Sequence, residues 1–331
     1  MPKALFVLDD TIREWVYPDP VYESIGGLVD VFAPPQTPFA IQQTPEVLHD
    51  AEILFSSWSC PTLDADLLAH APNLKMVFYG AGSIKRVVSD EFWNRGIRIT
   101  HAANANGVIV AQFTLGQIIL SLKGMWAHIH NTTTQRTFSQ RRGHPGLSHT
   151  RVGIIGLGLI GRHVYDLLKP FDVDILVYDP YVDEETAAEL DVCLVDLDTL
   201  FAECHVVSLH APWTPDTEGM ICGSHFESML PNATFINTAR GALVREGEMI
   251  SVLQQRSDIS ALLDVTYPEP PPTDSPLFDL PNVILTPHIA GAIEKNETRT
   301  MGEAMMSELR RYLNNEPLQW EVTEAQLATM A

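Results

Sequence analysis

Between residues 150 and 179 the chain reads as a strand, a glycine-rich turn, a helix and a second strand, and this unit limits the possible folds more than any other stretch. The apolar run Val152 to Ile155 leads into Gly156, Leu157, Gly158, Leu159, Ile160 and Gly161, and Ile160, Val164, Leu167 and Leu168 then recur at helical spacing. At a strand-to-helix turn the first glycine allows the tight bend, the second lets backbone approach a pyrophosphate, and the third lets the helix pack on the strand. The helix N-terminus would face the phosphates with its partial positive charge. The next strand ends in Asp179, 18 residues after Gly161. A carboxylate there accepts from adenosine ribose hydroxyls and repels a 2′-phosphate, so the unit predicts NAD in preference to NADP. The pattern GxGxxG alone is common, and the same glycines could simply fold a βα turn.

Short apolar runs recur along the chain at residues 4–8, 51–57, 74–80, 150–156, 174–179, 205–212, 234–239, 259–265 and 282–288, separated by helix-length segments. Most are apolar throughout, as strands covered on both faces of a parallel sheet must be. Repeated strand, helix, strand predicts a doubly wound α/β protein. The 331 residues are enough for two such domains. Residues 102–126 read as one long apolar helix after a turn at 104–107, and a second helical pattern covers 298–313. Either could be a hinge, with the first three strands in one sheet and the other six in another. Residues 268–276 are proline-dense and predict an irregular loop.

Composition narrows the partners. There are 21 Lys and Arg against 42 Asp and Glu, a net charge of −21, and no basic block is longer than the pair Arg141 and Arg142. Such a chain repels phosphate backbones and anionic lipid, so nucleic acid and membrane are not expected partners. The first apolar run stops at Asp9 and Asp10, and 113–122 is interrupted by Thr114, Gly116 and Gln117, so neither a signal peptide nor a membrane span is expected. Cys60, Cys193, Cys204 and Cys222 are scattered singly, which suits a reducing cytoplasm. The histidines His128, His130, His144 and His149 lack metal-ligand spacing; they are expected on a solvated surface, and no metal is expected. Lys123 and residues 136–142 are expected in a solvated loop.

Three polar residues fall at or beyond the ends of later strands, where open α/β sheets place ligands: Arg240, Glu269 and His288. A guanidinium matches a carboxylate bidentately. A histidine moves a proton near neutral pH, and a carboxylate hydrogen-bonded behind it fixes its tautomer. Beside a nicotinamide, these three groups would serve hydride transfer to an oxo acid. Spacing alone does not show that they converge, and a lone histidine is more often structural.

From about residue 102 to 293 the chain resembles the D-isomer-specific 2-hydroxyacid dehydrogenases. The resemblance is carried, in order, by VGIIGLGLIGRHV, VYDP, LHAPWTPDTEGMI, FINTARGALV, LLDVTYPEPPPTDSPLFDLPNVILTPHIAG and, weakly, YLNNEPL. It implies a flavodoxin-like substrate domain, residues 1–103 plus 297–331, with an inserted Rossmann NAD-binding domain, residues 104–296, and a homodimer built on the NAD domains. It makes Arg240 the carboxylate binder, His288 the acid/base and Glu269 its partner; formate dehydrogenases carry Gln at that place. Asp264 would hold the nicotinamide carboxamide. Leu159, Ile160, His210, Ala211, Pro212, Thr217, Thr238, Ala239, Ala290 and Gly291 would line the cofactor with the motif glycines. Asp264 could instead cap a strand end and Thr217 a helix, and His210 could merely shape a turn. A non-catalytic NAD-sensing scaffold, as in the C-terminal-binding corepressors of the same fold, is the alternative to an enzyme.

The chain also departs from the family. A G-x-G-V-D loop that helps grip the substrate carboxylate through backbone N–H groups here reads Gly80-Ala81-Gly82-Ser83-Ile84, with Ala81 and Gly82 the expected donors. Val-Ala-Glu is here Val110-Ala111-Gln112. Trp58, after an early strand, either overhangs the substrate or packs in the core.

Overall fold

The computed structural model describes residues 1–138 and 143–327. Arg141 and Arg142 lie outside the described residues. The strands in chain order are β1 (Lys3–Phe6), β2 (Asp30–Val31), β3 (Ile53–Ser56), β4 (Met76–Tyr79), β5 (Arg98–His101), β6 (Thr150–Ile155), β7 (Val173–Tyr178), β8 (Cys193–Leu194), β9 (Val206–Leu209), β10 (Thr234–Asn237), β11 (Ser260–Leu263), β12 (Val283–Leu285) and β13 (Glu321–Val322). They form two sheets in two compact units, one made of Met1–Asn106 and the segment from Ala292 on, the other of Gly107–Gly291.

The first unit has strand order β13-β5-β4-β3-β1-β2, parallel except for β13. Without that edge strand the order is 2-1-3-4-5, the flavodoxin-like doubly wound arrangement, whose switch point lies between β1 and β3. Phe6, Phe55 and Phe78 stack across three neighbouring strands at centroid separations of 4.8 and 5.1 Å. The helix Lys295–Leu313 covers this sheet with Met301, Met305 and Leu309 buried. It lies so close to residue 16 that a Cβ on Gly302 would sit 1.8 Å from the Val16 carbonyl oxygen.

The second unit has seven parallel strands ordered β12-β11-β10-β9-β6-β7-β8. The chain winds outward from β6 in one direction and from β9 in the other, so the crevice lies beyond the ends of these two strands. The long helix is not continuous to Trp126. It runs Ala103–Leu122, already includes residues 104–107, and is followed by Met125–Gln135. The break falls at Gly124, which has φ +62°, and a Cβ there would lie 2.1 Å from the His144 ring. Thr114, Gly116 and Gln117 do not interrupt it, and its 20 residues are long and apolar enough to cross a membrane by length and composition. In this fold Ala111, Ile118 and Leu122 are buried against Val152 and Ile154 of β6. His144 is only partly solvated: its ring packs on His128 at 4.8 Å, and partial burial lowers its pKa.

Candidate active site

The glycine turn ends β6 at the switch point of the second unit. Gly156 has φ +89°, and a Cβ on it would lie 2.7 Å from the Ala211 nitrogen in the turn after β9. A Cβ on Gly161 would come within 2.0 Å of the Gly156 carbonyl oxygen, whereas one on Gly158 would meet nothing within 4 Å. The first and third glycines therefore close the turn internally, and the second leaves backbone open to a ligand. This division fits a dinucleotide pyrophosphate at the first turn of the helix Leu159–Leu168. Asp179 accepts the Leu157 N–H at 2.7 Å and the Tyr181 N–H at 2.9 Å, so it fixes the glycine loop while each oxygen keeps a further lone pair.

The turn after β9 is self-supporting. The Thr217 hydroxyl donates to the Pro212 carbonyl at 2.6 Å and accepts the Thr214 N–H at 2.9 Å, so this side chain latches a turn and caps no helix. His210 is buried with Nε2 2.9 Å from the Ser208 hydroxyl, and burial drives its pKa down to about 3. Its ring is neutral and does not titrate in the physiological range.

At the end of β10, Thr238 is buried with its hydroxyl 3.3 Å from that of Thr114. Asn237, which the sequence reading did not single out, accepts the Ala239 N–H and donates to the Arg240 carbonyl, both at 3.0 Å. It thereby fixes the turn presenting Arg240. That guanidinium donates from Nη1 to the Ala239 carbonyl at 2.6 Å; burial lowers its pKa, and the Glu269 carboxylate opposes that shift.

Asp264, at the end of β11, is buried and accepts three hydrogen bonds from the stretch around His288. They come from the Thr286 hydroxyl at 2.6 Å and from the N–H groups of Ile289 and Ala290 at 2.8 Å each. It clamps the loop of the candidate acid/base. His288 itself has φ +56°, a left-handed conformation uncommon outside glycine. Such a conformation costs on the order of 1–3 kcal/mol and persists where the surroundings impose it, as the Asp264 clamp does. Nδ1 of His288 is 2.7 Å from Glu269 Oε1, and both side chains are half exposed. With Nδ1 held as donor, Nε2 is the nitrogen left for proton exchange. The irregular stretch between β11 and β12 therefore brings Glu269 to His288, with Arg240 near enough to feel the same carboxylate.

In the first unit, the ends of β3 and β4 are braced against each other. The Tyr17 hydroxyl donates to the carbonyls of Ser56 at 3.0 Å and Phe78 at 3.3 Å, and the Ser57 hydroxyl donates to that of Gly80 at 2.7 Å. Burial pushes the Tyr17 pKa up, so the phenol stays a donor. Trp58 follows this brace with 45% of its surface exposed, which excludes the core-packing reading. One expected carboxylate donor is corrected: Ala81 is fully buried and its N–H donates to the Tyr79 carbonyl at 2.8 Å. The Gly82 N–H has no protein acceptor among the described residues.

Residues 116–290 match the family model described as the D-isomer-specific 2-hydroxyacid dehydrogenase, NAD-binding domain. The chain belongs to this family. It is 30% identical over 254 residues to a putative 2-hydroxyacid dehydrogenase of Bacillus subtilis, covering 72% of each chain. It is also 30% identical over 280 residues to the D-3-phosphoglycerate dehydrogenase of Methanocaldococcus jannaschii, covering 82% of this chain and 51% of that one. The chain spans about half the length of the D-3-phosphoglycerate dehydrogenases it matches. Among solved structures, the D-isomer-specific 2-hydroxyacid dehydrogenase of Lactobacillus delbrueckii ssp. bulgaricus, in an NAD-complexed form, shares the fold. The TM-score is 0.79 at 21% identity, over 97% of this chain and 100% of that one.

Proposed function

We propose that this dehydrogenase-family chain interconverts a 2-oxo acid and the corresponding D-2-hydroxy acid with NAD(H). The observation that carries the reading is the 2.7 Å pairing of His288 Nδ1 with Glu269, beside a partly buried Arg240 and in the same unit as the glycine turn. NADH supplies the hydride to the carbonyl carbon. Arg240 binds the substrate carboxylate through its planar fork, and His288 donates a proton from Nε2 to the carbonyl oxygen as charge develops there. Glu269 holds the ring by accepting from Nδ1, which fixes the tautomer and leaves Nε2 toward the substrate. Asp264, by holding Thr286, Ile289 and Ala290, aims His288, and it remains our candidate contact for the nicotinamide carboxamide. Thr238, Ala239, Ala211, Ala290 and Gly291 are proposed to line the cofactor with Leu159, Ile160 and Pro212. The dehydrogenase names of the matched relatives favour an enzyme over a non-catalytic scaffold.

The test is a panel of glyoxylate, pyruvate, 2-oxoisocaproate and phenylpyruvate, with NADH and with NADPH. We expect reduction with NADH and a much lower kcat/KM with NADPH, because Asp179 would put a carboxylate against the 2′-phosphate and Pro180 and Tyr181 bring no cation. No turnover of any acid, or a preference for NADPH, would sink the respective half of the reading. We also propose that Trp58 favours substrates larger than pyruvate. Truncating an aromatic anchor costs about 1–3 kcal/mol, so Trp58→Ala should lose roughly tenfold or more on phenylpyruvate and little on glyoxylate. An equal loss on all four acids would mean that Trp58 does not select the substrate side chain.

A homodimer through the NAD-binding unit is proposed as well. In support, the helix Met125–Gln135 has no buried residue and exposes Met125 and Ile129, with Phe138 exposed beyond it. Light scattering should then give about twice the 36.8 kDa chain mass, and a monomer at micromolar concentration refutes it. Four free thiols accord with a cytoplasmic setting.

A further inference from the structure

In the first unit, the loop after β4 has two successive peptide groups pinned from the same side. The Ala81 carbonyl accepts the Ala102 N–H at 2.9 Å, and the Gly82 carbonyl lies 2.9 Å from Nδ1 of His101. Both partners belong to the end of β5, with His101 its last residue. A carbonyl can only accept, so Nδ1 of His101 carries the hydrogen whatever the charge of the ring. In a trans peptide the C=O and the following N–H point in opposite directions. Turning the Ala81 and Gly82 carbonyls toward residues 101 and 102 therefore turns the N–H groups of Gly82 and Ser83 away from them. Neither N–H has a protein acceptor among the described residues. Two consecutive N–H groups facing one way form a concave anion-binding nest.

We propose that His101 is a positioning residue for the substrate carboxylate: by donating to the Gly82 carbonyl it sets the Gly82–Ser83 peptide so that the Ser83 N–H joins that of Gly82 in gripping the anion. The donor pair thus moves one residue along the chain from Ala81 and Gly82. Burial lowers the His101 pKa, so the ring is neutral near pH 7 and places no second positive charge beside the anion. The surrounding brace is independent of it, since Tyr17 and Ser57 hold the ends of β3 and β4 without His101.

This inference rests on the proposed oxo-acid chemistry, and the experiment separates the two. His101→Leu keeps bulk and removes the donor. We expect the KM of the best 2-oxo acid to rise about tenfold, the scale of one lost hydrogen bond to a positioning group, with kcat within twofold and NADH affinity unchanged. His101→Asn, whose amide can donate to the same carbonyl, should return KM to within about threefold of the parent. A KM unchanged in the leucine variant, or raised equally in both, overturns the proposal. A second readout needs no turnover: in protein labelled with ¹⁵N-serine and saturated with NADH, oxamate should shift the Ser83 amide signal, identified by its loss in Ser83→Ala. The shift should persist in the asparagine variant and be lost in the leucine variant; an unmoved Ser83 signal in the parent overturns the proposal. If oxamate moves Ser83 while no oxo acid is reduced, the grip stands and the activity reading falls.

Discussion

His288→Ala is expected to reduce 2-oxo acids about a thousandfold more slowly than the parent while binding NADH equally well. A positioned general acid contributes roughly 10²–10⁴ in rate, and that is the role we propose for His288, whose Nδ1 is held by Glu269 at 2.7 Å with Nε2 left for the substrate. The left-handed backbone at residue 288, φ +56°, complicates a substitution by alanine, which tolerates it poorly. His288→Asn is the cleaner variant, because asparagine adopts this conformation readily and cannot carry the proton. Both variants should lose kcat alike. Single-turnover reduction at saturating NADH measures it, and an asparagine variant within tenfold of the parent would mean that the proton comes from elsewhere. Glu269→Gln should lose less, since a glutamine can still accept from Nδ1 but brings no charge.

The second large effect concerns Arg240. Arg240→Lys should raise KM for the oxo acid by roughly 10–100-fold, because an ammonium cannot reproduce the two parallel hydrogen bonds of the guanidinium, and bonds to charged groups are worth about 1.5–3 kcal/mol. The defect should also grow with pH. Burial lowers the pKa of the cation at this position. An arginine, whose ordinary pKa lies far above the assay range, stays charged through that loss, whereas a lysine starting near 10.4 comes closer to it. A cation is present below its pKa and lost above it, so KM of the lysine variant should climb between pH 7 and pH 9.5 more steeply than that of the parent. Parallel KM profiles for the two proteins would show that residue 240 does not meet the carboxylate.

The sequence made the β6 turn readable because glycine spacing, helix periodicity and the strand-end Asp179 are all local. All nine apolar runs are strands. The four strands that periodicity missed include three of only two residues, β2, β8 and β13, together with β5, whose Arg98 and His101 break the apolar pattern. The helix break falls at Gly124, whose φ of +62° and closeness to the His144 ring, twenty residues later in the chain, are not written in the apolar periodicity. Convergence of Glu269 on His288 came from motif order and not from spacing, and Asn237, Asp264 and His101 show why. Each acts through side-chain bonds to particular backbone groups, and such bonds leave no periodic trace. The Ala81 error has the same origin, since residue identity does not show that its N–H turns back to Tyr79.

One unit is a continuous segment and the other is not, which sets an order of events at the ribosome. All seven strands of the second sheet have been made once Gly291 emerges. The first sheet begins earlier yet finishes later, because Gly302 against Val16, the buried Met301, Met305 and Leu309, and the closing strand β13 all come afterwards. Until then Val16 and Tyr17, fully buried in the finished protein, lack part of their cover. Domains fold as units during synthesis, so the inserted one completes first and the nascent N-terminal sheet waits with apolar surface exposed, the interval in which a chaperone has most to protect.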